Sequence, residues 1–164
     1  MRHRIVSASL LLLGLLALAC NNATKGFVGF RADLSGANEV PAVSSSAAGS
    51  CGFQLEGGQL RYSLEVHGIT GVVGAHIHLA PAGANGPIRV VLYPFPGGPN
   101  FATTATGPVS GVLMSGTFDA THLTGITLDG LVTAMRSGQT YCNVHTSAHP
   151  GGEARGQIQE ISLD

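Results

Sequence analysis

The sequence predicts an all-β domain, a Greek-key β-sandwich or barrel carrying one short helix near 128–137. Three observations lead there. Apolar and polar residues alternate with a period of two along most of the chain, which is the signature of strands buried on one face. The alternating stretches are short and separated by turns rich in Gly and Pro. Only one segment breaks the alternation for a helical period. Hydrophobic residues make up 44% of the chain and charged ones 10%, a balance that favours a packed core over disorder.

Taken in order, Val28, Phe30, Ala32 and Leu34 share one face of the first strand, with Arg31 and Asp33 opposite. Cys51, Phe53 and Leu55 repeat the pattern, and Glu56-Gly57-Gly58 marks a hairpin, because glycine supplies the positive φ that a two-residue turn needs. Leu60, Tyr62, Leu64 and Val66 point inward from the next strand, with Arg61, Ser63, Glu65 and His67 outward. Val73, Ala75, Ile77 and Leu79 then form an inner face, leaving Gly74, His76 and His78 on the outer one. Residues 80–87 read as a loop, Ile88, Val90 and Leu92 as a strand, and 94–108 as a longer loop. Val112 to Phe118 is the next strand. Leu128, Leu131, Val132 and Met135 follow the i, i+3, i+4, i+7 rule, with Arg136 in the last turn and Gly138 as C-cap. Cys142 and Val144 face inward between Tyr141, Asn143 and His145, and Ala154, Gly156 and Ile158 suggest a last strand.

The chain opens with a basic Met1-Arg-His-Arg4 and an apolar run from Ile5 to Ala19, too short for a comfortable transmembrane helix and proportioned like an export signal. Leu16-Ala-Leu-Ala-Cys20 resembles a bacterial lipobox, with Cys20 as the lipidated residue. Residues 1–19 are thus expected to be a lipoprotein-type signal peptide, 20–26 a polar tether and 27–161 the folded domain. The protein is expected to be exported and lipid-anchored in the cell envelope, at the outer membrane or cell surface; soluble secretion is the alternative. Loss of Arg2 and Arg4 with the leader leaves a net side-chain charge of −3, which argues against a nucleic-acid partner. With Cys20 lipidated, Cys51 and Cys142 remain. In an oxidising compartment they form one bridge, or else stay as two buried thiols.

Five segments in order resemble the chordin-type (CHRD) domain. They are Ser35-Gly-Ala-Asn-Glu-Val-Pro-Ala-Val43, Ala75-His-Ile-His78, Ala82-Gly-Ala-Asn-Gly-Pro87, Tyr141-Cys-Asn-Val-His-Thr146 and Pro150-Gly-Gly-Glu-Ala-Arg-Gly-Gln157. Cys142 and Ala154 stand where the family more often has aliphatic residues. The resemblance implies an immunoglobulin-like β-barrel in an exported protein, and implies no enzymatic reaction. Growth-factor binding does not carry over, because this chain lacks the cysteine-rich modules that accompany the domain in chordin.

His76 and His78 share one strand face about 7 Å apart, and His145 lies on the outer face of another strand. Three imidazoles with an open fourth position suit Zn²⁺ or Cu. His149 or Glu153 offers a further ligand. The His-Ile-His spacing is loosely similar to copper/zinc superoxide dismutase, without that enzyme's bridging and zinc ligands. The competing reading is a structural polar network in which His76, His78, Asn143, His145, Glu153, Arg155 and Gln157 pin the 80–87 loop, with Glu153 paired to Arg155 or a backbone amide. Glu39 is read as tying down a turn beside Pro41, and His67 and His122 as solvated.

No nucleophile elbow, phosphate loop or helical zinc motif is present in the sequence. The expected function is a non-enzymatic binding or structural module with an unidentified protein partner, and the alternative is a metal-binding protein using His76, His78 and His145.

Overall fold

A computed structural model describes residues 28–94 and 105–162. The leader 1–19, Cys20 and the tether 20–26 lie outside the described residues, as does most of the 94–108 loop.

Eight strands and one helix make up the described chain: β1 Val28–Ser35, β2 Ala48–Glu56, β3 Gln59–Leu79, β4 Ile88–Tyr93, β5 Ala105–Phe118, α1 Leu128–Arg136, β6 Thr140–Thr146, β7 Ala154–Gln157 and β8 Gln159–Ser162. The order β2-β1-β7-β6-β3-β4 closes on itself through a β2–β3 pairing, while β5 adds to β3 and β8 to β1. The result is an all-β barrel or sandwich with one short helix.

β3 makes the closure possible. The sequence reads two strands here, but the structure has one of 21 residues. Its first part pairs with β2 and β5, and its last part with β6 and β4. Gly68 and Gly71, both at positive φ, sit where the ladder slips, so the strand bends without ending. The slip also changes which residues face inward. Leu60, Tyr62, Leu64 and Val66 are buried as expected, but beyond the bend it is Val72 that enters the core, while Val73 is 42% exposed. A one-residue register shift exchanges the faces of a strand.

One further boundary differs from expectation. β5 starts at Ala105, upstream of Pro108, so part of the expected long loop is strand. Proline is tolerated there because, among the described residues, β5 pairs on one side only, with β3. In β4, Val90 and Leu92 are buried while Ile88 is exposed, next to a slip in the β3–β4 ladder between Ile77 and His78.

The core gathers Phe30, Ala32 and Leu34 from β1, Phe53 from β2, the inward residues of β3, Leu92, Phe118, Val144 and Ile158. α1 closes one side with Leu131, Val132 and Met135. Its start is capped by Thr127, whose hydroxyl accepts from Gly130 N, and Gly138 follows its end at positive φ. Cys51 of β2 and Cys142 of β6 are joined by a disulfide through this core.

Candidate functional site

β3 and β6 run antiparallel with Gly74 opposite His145, His76 opposite Asn143, and His78 opposite Tyr141. These residues alternate with Ala75, Ile77, Cys142 and Val144, which fill the core, so they share the outer face. That face was expected to meet solvent. Instead β6 is buried on both sides, with Tyr141 and Asn143 each 2% exposed. The 80–87 loop folds back over it.

A set of polar contacts holds the loop down. Arg155 donates to Asn85 Oδ1 at 3.0 Å and to the carbonyls of Ala84 and Pro81 at 2.8 and 3.4 Å. Gln157 donates to the carbonyls of Ala80 and Gly138 at 3.0 and 2.7 Å. Asn85 reaches the Val40 carbonyl, Asn38 reaches the Arg155 carbonyl, and the Tyr141 hydroxyl accepts from Gly86 N. His78 stacks on Tyr141, the rings being 4.8 Å apart and nearly parallel, and Arg155 lies over the same ring. The five segments quoted from the sequence therefore meet at one place.

Within this frame the three histidines converge. Their ring centroids are 4.8 Å (His76–His145), 5.6 Å (His76–His78) and 6.0 Å (His78–His145) apart. One ring nitrogen from each lies within 4.8 Å of the other two. A triangle with that edge has its centre about 2.8 Å from each corner, so closure by about 0.7 Å reaches the Zn–N distance of about 2.1 Å.

The second nitrogens of two rings are fixed from behind. His78 Nδ1 lies 2.8 Å from the Gly86 carbonyl oxygen and His145 Nδ1 3.0 Å from that of Pro150. A carbonyl oxygen only accepts, so each Nδ1 carries the ring proton and each Nε2 presents its lone pair. Those two Nε2 atoms, and His76 Nδ1, are buried and have no hydrogen-bond partner among the described residues. Burial holds all three rings below the ordinary imidazole pKa. For His76 the fall is to about 4, from burial first and then the neighbouring His145 and His78. Neutral rings with unused lone pairs are what a metal ligand requires.

The remaining candidates take other roles. Glu153 accepts from Ser45 Oγ at 2.7 Å and Thr146 Oγ1 at 2.6 Å, in place of the expected Arg155 or backbone amide. Arg155 donates instead to the neutral oxygens of the loop. Neither His149 nor Glu153 joins the histidine group. Glu39 does more than hold a turn: its carboxyl is buried, and burial pushes its pKa up to about 7 against the opposing pull of Arg155 and a hydrogen bond from Asn143. His67 is exposed beside Glu65, and His122 caps a 3-10 turn with Asp119. Sequence reasoning missed the carbonyls of Gly86 and Pro150, which carry no side-chain signal, and the ring platform of Tyr141.

The fold and site together define a small β-barrel module that buries a histidine triad beneath a pinned loop. A family model for the CHRD domain matches residues 30–158, and the chain belongs to that family. No curated protein and no solved structure matches it.

Proposed function

We propose that this chain is a non-enzymatic binding module of the cell envelope, exported and lipid-anchored through Cys20, that holds a transition-metal ion, Zn²⁺ or Cu, on His76, His78 and His145. One observation carries the metal reading: the three rings bring a nitrogen each within 4.8 Å of one another, and each ring has a buried nitrogen with no partner among the described residues. A buried polar atom without a partner costs about 1–3 kcal/mol, so three in one place need a ligand to account for them. Cys51 and Cys142, the two cysteines of the folded domain, are bridged to each other, which leaves imidazole nitrogen as the donor set. The leader, the Leu16–Cys20 pattern and the disulfide support export.

A purely structural network is the second reading, favoured by the many contacts of Arg155 and Gln157 to the loop. It explains the loop and leaves the three ring nitrogens unexplained. The exported protein, purified without a histidine tag, is analysed by elemental mass spectrometry after Zn²⁺ or Cu²⁺ loading and desalting. Near one equivalent is expected, and none in the His76→Ala/His78→Ala/His145→Ala variant. Failure of the folded wild-type protein to retain metal leaves the network alone standing. Cys20→Ala is expected to move the protein from the membrane fraction to the soluble one.

A further inference from the structure

One more buried polar atom faces the histidines. Asn143 stands directly opposite His76 on the same covered face, between Tyr141 and His145 of β6. The hydrogen bond from Asn143 lowers the Glu39 pKa, so Nδ2 is the donor there and Oδ1 is turned away from Glu39. Oδ1 is buried and finds no donor among the described residues. His78 Nε2 is itself a lone pair, because Nδ1 gives its proton to the Gly86 carbonyl. Two buried acceptors thus share this covered face with no donor for either among the described residues. Moving the proton to Nε2 would only transfer the conflict to Nδ1 and the Gly86 oxygen.

A metal ion on the three ring nitrogens relieves Nε2 and leaves Oδ1 unsatisfied. A water or hydroxide on the fourth coordination position relieves both, binding the metal through oxygen and donating its hydrogen to Oδ1. We infer that the site admits a small protic ligand, water or hydroxide, at an open fourth position, and that Asn143 selects it by accepting its hydrogen. This deepens the metal reading and rests on it. Asn143 is a positioning residue here, and Glu39 sets the direction in which its amide points. A ligand with acceptor atoms only, such as azide, meets Oδ1 as a second acceptor and is disfavoured.

The test loads the wild-type protein and Asn143→Ala with Cu²⁺ and titrates each with azide, read by the azide-to-copper charge-transfer band. At equal copper content, Asn143→Ala is expected to bind azide at least tenfold more tightly. In parallel, pulsed EPR of the wild-type copper protein in D₂O reads the exchangeable deuterons of a directly bound water. Equal azide affinities, or no deuteron coupling from bound water, overturn the role of Asn143 while the metal site stands. No retained copper in the wild-type protein overturns the site, and this inference with it. Should Asn143→Ala fail to fold, the wild-type EPR measurement decides.

Discussion

The guanidinium carbon of Arg155 lies 3.3 Å from the centroid of the Tyr141 ring. β6 runs between β3 and β7, so Tyr141 stands between His78 and Arg155, and the three form one stack across the ladder. Arg155 is a fully buried cation whose donors go to three neutral oxygens of the loop. Arg155→Met strands those oxygens and is expected to destabilise the protein by about 3 kcal/mol. Arg155→Lys is expected to recover little, because a compact ammonium cannot reproduce a planar fork stacked on a ring. Urea unfolding measures both. A loss under about 1 kcal/mol for the methionine variant would mean that the loop is held by other contacts.

The disulfide joins positions 91 residues apart in sequence, through the core. Closing a loop of that size restricts the unfolded chain, which the chain-entropy model values at about 4–5 kcal/mol. Cys51→Ala/Cys142→Ala is expected to lose about 4 kcal/mol by denaturant unfolding, with the histidine geometry retained in whatever fraction stays folded. A loss below about 1 kcal/mol would show that the barrel closes well enough through the β2–β3 ladder alone.

Glu39 gives a pH dependence whose sign follows from its environment. Its carboxyl titrates near 7 in the folded chain, against 4.5 as the ordinary value. Between these values the folded state holds more protons than the unfolded one, so this group's contribution to stability is present at low pH and is lost as pH rises from about 4.5 to 7. The histidines work in the opposite direction, but they are common to the wild type and a Glu39→Gln variant, so the difference between the two isolates Glu39. Relative to wild type, Glu39→Gln is expected to gain about 2 kcal/mol between pH 4.5 and pH 8 in metal-free protein, allowing for partial solvation. Thermal melts across that range read it. A difference that stays constant with pH would show that Glu39 titrates as an ordinary carboxylate.

Much of the barrel was legible because alternation reports one buried face directly, as in Phe30, Ala32 and Leu34 or Leu60, Tyr62 and Leu64. The helix was legible from Leu131, Val132 and Met135 with Gly138 behind them. The bend in β3 was hidden, since Gly68 and Gly71 suit a turn between two strands as well as bulges within one. The site was legible in its residue types and hidden in its burial. Period two places His76, His78, Asn143 and His145 on the outer face correctly, but it cannot foresee that residues 80–87 return over that face. The contacts responsible are mostly side chain to backbone carbonyl, and a carbonyl is common to every residue. For the same reason Glu153 looked like a partner for Arg155, two positions away, when its true partners, Ser45 and Thr146, are hydroxyls.

Gly86 is where loop and site can be separated by experiment. A Cβ there would fall on the Leu79 carbonyl oxygen and stand 2.8 Å from the Ala80 Cβ, so the loop must shift to admit alanine. Its carbonyl oxygen is the one that holds His78 Nδ1, and its N–H donates to the Tyr141 hydroxyl. Gly86→Ala is therefore expected to cost about 1–3 kcal/mol of stability. It should also weaken metal binding about 10- to 100-fold with all three histidines intact, because the partner that orients His78 has moved. Gly83→Ala in the same loop is the control. Gly83 has φ +78 and nothing within 4 Å of an added Cβ, so the substitution strains the backbone by about 1 kcal/mol without touching the histidines. Metal titration and urea unfolding on both variants separate the effects. Loss of affinity in Gly86→Ala alone ties the metal site to that one carbonyl. Equal loss in both would mean that any disturbance of the loop opens the site, and that the His78–Gly86 contact has no special part in it.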